Sequence, residues 1–449
     1  MRRAAPPESA TGPLRVAHSN DAATVISVKP AGRTRPRNAL YAQAGGATAV
    51  INATASAVIE AARRQPRKIG KLYAARDGLL GLLAEDLIDT SKETAQSVRL
   101  LAYTPGSAFG TCRAGIDDYV RDRERWERII AVLRAHDIGY VLYNGGNGSA
   151  DTAWKLSQMG ERFGYPLTVV GIPKTIDNDI LGTDTCPGFG SAAKYLATSL
   201  REASLDLASM ASTSTKVFIL EVMGRNAGWL TAACGLAAEP SQSQQPLLLF
   251  PEQAFDEARF LKAVDASVKK HGHCAIAASE GVRDAGGHLL SVAGGKDSHG
   301  NPQLGGVAPL LARLVHDRLG HKCHWAVADY LQRSARHLAS ATDVAQARAL
   351  GEAAVGMALA GANGRMPVIR RESDAPYRWS IGSVNLADIA VKERRLPRRF
   401  MSRDGLHLSG AGRAYLAPLV AGEDLPPFKD GLPNYPALKH ARVRRLLSR

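Results

Sequence analysis

Residues 166–180 read PLTVVGIPKTIDNDI. Residues 167–172 form a β-branched apolar run, long enough for a buried parallel strand and too short for an ordinary helix. The Gly/Pro break then delivers Lys174, Thr175, Asp177, Asn178 and Asp179 at the strand's carboxyl end, the edge where open α/β sheets collect ligands. Asp177 and Asp179 stand two apart, so in an extended segment both face one side. One carboxylate can accept a proton from an attacking hydroxyl while the other holds a metal or orients its partner. Lys174 offers a positive charge to phosphate oxygens. An Asx-rich surface turn capping the next helix would use the same residue types. The preceding strand, and glycine turns elsewhere in the chain, weigh for chemistry.

The same unit recurs. Order is expected from Asn38, where ALYAQAGG reads as a strand closing on Gly45 and Gly46. Residues 138–143 are an apolar run followed by NGGNGS and a helical pattern, and residues 217–222 another, followed by MGRNAG and WLTAACGLAAE. Further strand candidates are 247–250, 274–278 and 325–327, each ending near polar or charged residues. Strand, glycine turn and helix in alternation predict an α/β fold of two doubly wound lobes with mainly parallel sheets.

Composition bounds the function. The 449 residues are 45% hydrophobic and 22% charged, with 43 glycines, which excludes wholesale disorder; no apolar run is long enough to span a bilayer. The net charge of +15 sits mostly at the ends: residues 1–37 contribute +5 and residues 392–449 contribute +8, leaving +2 between. The basic ends, including RRLPRR and RVRRLL, lack interleaved aromatics, so they are read as solvated tails with no specific nucleic-acid recognition. Five scattered cysteines, Cys112, Cys186, Cys234, Cys274 and Cys323, never in CxxC spacing, suit free thiols in a cytoplasmic protein.

Glycine turns joining strand to helix let backbone N–H groups approach phosphate, with the helix N-terminus adding partial positive charge. Gly45-Gly46 and the turn containing Asn147 and Gly148 fit that design, and PGSAFGTCR brings Arg113 as a counter-charge for a donor. The pattern GxxxxGK[ST] is absent, arguing against an ordinary P-loop. Gly188–Ala193 loosely matches a dinucleotide fingerprint but follows Thr-Cys-Pro, not an apolar strand. Met223, Gly224 and Arg225 lie at another strand-to-helix junction, and Glu280, Tyr330 and Arg333 also sit just past strands. Together they suit a sugar phosphate, with Arg for the phosphoryl group and Glu for hydroxyls.

PKTIDND, the MGR turn, the paired-glycine turns, PGSAFGTCR and YLQRS together resemble the phosphofructokinase family over residues 38–360. The resemblance implies two lobes with the active site in the cleft between them, and transfer of a phosphoryl group to the 1-hydroxyl of fructose 6-phosphate, a glycolytic step. It divides the chain into a leader (1–37), a donor-binding lobe (38–180), a sugar-phosphate lobe (181–330), a return to the donor lobe with closing helices (331–395) and a basic extension (396–449). By motif, Asp177 resembles the proton acceptor, with Lys174 as catalytic cation. Thr175, Met223, Gly224, Arg225, Glu280, Tyr330 and Arg333 resemble substrate contacts, and Gly45, Arg113 and Gly148 donor contacts. Lys216 stands where the family often has a phosphate-binding arginine donated by a neighbouring subunit, so a homo-oligomer is implied; His324 occupies the second such position.

The donor is read two ways. The wider sequence looks most like bacterial pyrophosphate-dependent members. Pyrophosphate users, however, usually carry Asp at the position of Gly148, where it excludes the nucleotide α-phosphate; Gly148 leaves ATP as the alternative. Asn147 stands where many relatives place a magnesium-binding Asp. A neutral amide is a weaker ligand for a hard cation, which leaves Mg2+ more dependent on Asp177, Asp179 and the donor. A catalytically impaired sugar-phosphate-binding regulator is the non-enzymatic alternative, motivated by Asn147 and His324.

Overall fold

A computed structural model describes residues 35–296 and 302–448; the expected leader falls almost wholly outside them. The chain opens with β1 (Arg37–Gln43), β2 (Ile69–Ala75), β3 (Leu87–Asp89), β4 (Ile138–Gly145) and β5 (Thr168–Pro173). After β6 (Val217–Val222), β7 (Leu247–Leu249), β8 (Cys274–Ser279), β9 (Val292–Lys296), β10 (Pro302–Leu304) and β11 (Cys323–Val327), it returns with β12 (Arg365–Asp374) and β13 (Tyr377–Asn385). Two sheets result. The larger runs β13-β12-β5-β4-β1-β2-β3 and the smaller β11-β6-β8-β7, while β9 and β10 pair as a separate hairpin.

Pairing is parallel throughout the smaller sheet and through β12-β5-β4-β1-β2, with antiparallel strands only at the two edges of the larger. The sequence explains why. Strands β4, β5, β6 and β8 are near-continuous apolar runs covered on both faces, as a parallel sheet requires. Their registers align the exits. Asn144 lies opposite both Gln43 and Ile172, and Gly145 opposite Pro173, so the turns after β1, β4 and β5 leave one edge side by side. Backbone bonds stitch those exits together, Ala44 N–H to Asn144 O at 2.8 Å and Lys174 N–H to Gly145 O at 3.0 Å. In the smaller sheet, Glu280 N–H bonds Val222 O and Ala328 N–H bonds Glu221 O, aligning the turns after β6, β8 and β11.

One sequence expectation needs correction. The segment beyond Leu396 is integrated into the fold. Phe400, Tyr415, Leu416 and Leu419 are buried with Phe189 and Trp229 in one cluster, each apolar side chain worth about 1.5–3 kcal/mol of burial. Further on, Asp89 N–H bonds Ala441 O and Val443 N–H bonds Leu87 O, so the last residues cover the open side of β3. Buried Glu85 takes the Leu446 N–H at 2.5 Å and the Leu447 N–H, and pairs with His136 at 2.7 Å. A charge count cannot see these contacts, because the apolar residues alternate with arginines. The loose dinucleotide pattern, set aside in the sequence for want of a preceding apolar strand, opens the helix Phe189–Met210, whose N-terminus is already occupied. Buried Asp343 accepts from Gly188 N–H, Ser191 N–H and Ser191 Oγ at 2.9, 2.9 and 2.6 Å. No helix among the described residues is long and apolar enough to cross a membrane.

Candidate active site

The two aligned edges meet across a cleft of about 1050 Å³, lined by the turns after β1, β4 and β5 on one side and those after β6, β8 and β11 on the other. On the first side, Gly45 has φ +75°, a left-handed conformation that favours glycine, and its N–H bonds Cys112 O at 2.9 Å. Gly46 is bare for a second reason. A Cβ there would stand 3.0 Å from Arg333 Nη1 and 3.8 Å from Arg113 Nη2, so two guanidinium groups hang over exposed backbone. Lys174 completes this group, its Nζ donating to Gly46 O at 2.5 Å. The side chain is only 3% exposed. Burial pushes its pKa down to about 8, opposed by the Asp177 charge and reinforced by Arg113 and Arg333.

Beside this cradle the helix Asn147–Arg162 begins at Gly146 with no side-chain cap and no acidic residue in its first turn, an arrangement that favours an anion. A Cβ on Gly148 would meet nothing within 4 Å. Gly45, Arg113, Gly148 and Lys174, the residues expected to contact a donor or its charge, all line the cleft.

The loop after β5 turns sharply. Thr175 Oγ1 accepts the Asp177 N–H at 3.0 Å, and Asn178 adopts φ +53° with its Oδ1 accepting Cys186 N–H at 3.0 Å. Both aspartates face the cleft as expected, but through this left-handed turn and not through strand alternation. Burial raises both carboxyl pKa values; Glu280 adds to the effect on Asp177, and the Asp177 charge to that on Asp179. Asn147 Nδ2 donates to Asp179 Oδ2 at 2.7 Å. The remaining oxygens, Asn147 Oδ1 and Asp179 Oδ1, are buried without a hydrogen-bond partner. Two orphaned oxygens next to mutually repelling carboxylates suit a hard oxygen-seeking cation. Among the described residues no group of three or more His, Cys, Asp or Glu is arranged to hold a metal ion, so such a cation would share its ligands with a bound donor.

Across the cleft, Gly224 has φ +136°, and a Cβ there would lie 2.7 Å from Ala227 O. Its N–H donates to Glu280 Oε1 at 3.2 Å, while Ser279 Oγ donates to Gly224 O at 2.7 Å. Burial raises the Glu280 pKa against the Gly224 N–H that lowers it. Met223, Arg225, Glu280, Tyr330 and Arg333 all line the cleft. The Arg333 guanidinium stacks 3.8 Å from the centre of the exposed Tyr330 ring and reaches the donor-side Gly46, so it spans both halves.

Lys216 and His324 are elsewhere. Lys216 precedes β6, at the strand end opposite the cleft, and its Nζ donates to Ala211 O at 2.6 Å. His324 is exposed on the edge strand β11, paired with Phe218. Sequence reasoning also missed residues that shape the site. Gln332, buried, accepts Met223 N–H at 3.2 Å and donates to Asp329 O at 2.9 Å, tying the YLQRS turn to the MGR turn. Arg394, read as a tail charge, contacts the aspartate loop. Its signal was a basic residue beside an acidic one just ahead of Leu396, indistinguishable in sequence from a solvated pair.

Comparison with known proteins accords with this geometry. The Phosphofructokinase family pattern matches residues 38–358. The chain is 56% identical over 412 residues to the pyrophosphate–fructose 6-phosphate 1-phosphotransferase of Xanthomonas campestris pv. campestris, covering 91% of this chain and 98% of that one. It is 54% identical over 412 residues to the enzyme of the same name from Methylococcus capsulatus, covering 92% and 98%. A crystal structure of pyrophosphate-dependent phosphofructokinase from Nitrosospira multiformis superposes with a TM-score of 0.84 at 52% identity, covering 92% of this chain and 99% of that one.

Proposed function

This chain belongs to the phosphofructokinase family, and from that premise we propose that it transfers a phosphoryl group from pyrophosphate to the 1-hydroxyl of fructose 6-phosphate. The observation that carries the reading is the meeting, in one cleft, of Asp177 and Lys174 with two guanidinium groups poised over the bare backbone of Gly46. Asp177 accepts the hydroxyl proton as the sugar oxygen forms its bond to the distal phosphorus. The bridging P–O bond breaks and orthophosphate leaves. Lys174, Arg113, Arg333 and the free helix N-terminus balance the charge that spreads over the transferring oxygens, so catalysis is mainly positioning and electrostatics. Glu280 and Arg225 hold the sugar phosphate, with Thr175, Met223 and Tyr330 forming the adjacent walls and the Gly224 N–H holding Glu280.

Asp179 and Asn147, together with the donor, would hold magnesium, which would supply charge neutralisation for the phosphoryl groups. The protein works in the cytoplasm as a homo-oligomer. Lys216, remote from this chain's own cleft, would serve the sugar phosphate of a neighbouring copy. The open space at Gly148 favours ATP as a second donor reading. The deciding measurement is kcat/KM for pyrophosphate and for ATP on one preparation with magnesium held constant. A pyrophosphate preference is expected; a strong ATP preference would reverse the assignment, and turnover with neither donor would leave a sugar-phosphate binder.

A further inference from the structure

We propose that Arg394 is a positioning residue for phosphoryl transfer, its guanidinium fixing the backbone between Asp177 and Asp184 so that the aspartates keep their direction. The proposal rests on Asp177 being the base. Arg394 Nε and Nη2 both donate to Asn178 O, at 3.2 and 2.9 Å. Nη1 donates to Thr183 O at 2.8 Å and Asp184 O at 2.7 Å. The Arg394 backbone N–H adds Asp179 O at 2.7 Å. One residue, 216 positions downstream of Asn178, thus satisfies carbonyls throughout the segment that carries the chemistry.

These carbonyls need an outside partner because the chain has left the sheet ladder, which ends with β5 at Pro173, and turns again at the left-handed Asn178. The rigid planar fork of arginine, with donors on three nitrogens, matches several acceptors at once; a lysine ammonium has no such fork. Arg394 is itself held. Its guanidinium lies 4.5 Å from the ring centre of Trp229, which is 1% exposed, and Trp229 Nε1 donates to Arg394 O at 3.1 Å. The neighbouring Glu393 reaches the opposite wall, accepting Asn226 Nδ2 at 3.1 Å in the MGRN turn. The dipeptide therefore clasps the aspartate loop and the sugar-side turn together. What separates this from a merely stabilising arginine is the peptide it grips: the bonded Asn178 carbonyl lies between the base and the metal-facing carboxylate.

The test uses full-length protein carrying Arg394→Met and Arg394→Lys, each alone and combined with Asp177→Asn. Arg394→Met is expected to lower kcat by about 10–100-fold, the scale of a roughly 1 Å misplacement, with KM for both substrates changed by less than about threefold. Arg394→Lys, retaining a donor, should recover part of the loss. In the Asp177→Asn background the Arg394 substitutions should cost under about threefold, because a group acting through Asp177 has nothing left to position. Equal fractional losses in both backgrounds, a rise in KM with kcat intact, or a loss matching the unfolded fraction measured by circular dichroism at the assay temperature would each overturn the proposal. If Arg394→Met does not fold, Arg394→Lys carries the same comparison, and wild-type kcat there overturns it. Wild-type turnover in Asp177→Asn alone would instead remove the base assignment, so the two failures are distinguishable.

Discussion

Replacing Lys174 with methionine should stabilise the free protein while removing most of its activity. Burial holds the Lys174 pKa at about 8 against an ordinary 10.5. The difference corresponds to about 3 kcal/mol spent in keeping the ammonium charged inside the fold. The sign follows from proton counts. Between pH 8 and 10.5 the unfolded chain holds this proton and the folded chain does not, so stability from this group rises with pH through that window. Below pH 8 the full cost is present. Methionine removes the charge at nearly the same volume but leaves Gly46 O without its donor, a loss of about 1 kcal/mol. The net expectation is a gain of about 2 kcal/mol at pH 7 that shrinks toward pH 10.5, read from urea midpoints of the ligand-free protein. Turnover, followed by fructose 1,6-bisphosphate release, should fall by about 10²–10³-fold, the scale of losing one preorganised charge at a transferring group. In the wild type, kcat/KM for pyrophosphate should decline above about pH 8 as the free enzyme loses the proton. A variant no more stable than wild type at pH 7, or one keeping the same alkaline limb, would refute the reasoning; the second outcome would assign the limb to the donor.

Asp177→Asn should reduce kcat by at least about 10²-fold through loss of the base, measured under saturating substrates. Gly148→Asp, whose Cβ has open space, should fold normally and depress ATP-supported turnover more than pyrophosphate-supported turnover; an equal effect on both would discard the steric reading of this position. Gly190→Ala would place a Cβ 2.5 Å from Leu419 O and 3.0 Å from Asp343 Cβ. Such overpacking costs about 1–3 kcal/mol, to be seen as a lower urea midpoint with little change in kcat of the folded enzyme. Glu85→Ala strands the N–H groups of Leu446 and Leu447 and should free the chain's end. Trypsin would then cut at Arg442, Arg444 and Arg445 faster than in wild type, as read by mass spectrometry.

Much of the sheet architecture was legible because parallel strands covered on both faces are written as apolar runs. The run at 217–222 matches β6 residue for residue, and the runs before NGGNGS and PKTIDND differ from β4 and β5 only at their ends. Strands β12 and β13 escaped for the converse reason. Only residues 366–369 of β12 are fully buried, and the rest alternates Arg, Glu, Ser and Asp on an edge hairpin. Site residues on turns that follow strands could be placed from local pattern. Those acting over long distances could not. Nothing in the sequence around Asp343 says that it caps a helix beginning at Phe189, nor around Arg394 that its partners are carbonyls more than two hundred residues earlier. Side-chain type reveals what a residue can donate, and only the fold says to whom.

The larger sheet is also discontinuous in time. Strand β5 ends at Pro173, yet its outer neighbour β12 begins at Arg365, after the entire smaller sheet has been synthesised. A nascent chain emerging from the ribosome therefore carries β5 as an uncovered apolar edge, the kind of surface that recruits wrong partners. Such long sequence separation also makes closure slow compared with local pairing. The loop bearing Asp177 inherits this delay. Its clamp at Arg394 is among the later residues made, so the cleft gains its final shape only near the end of translation, and chains released before that point would hold the aspartates without the means to aim them.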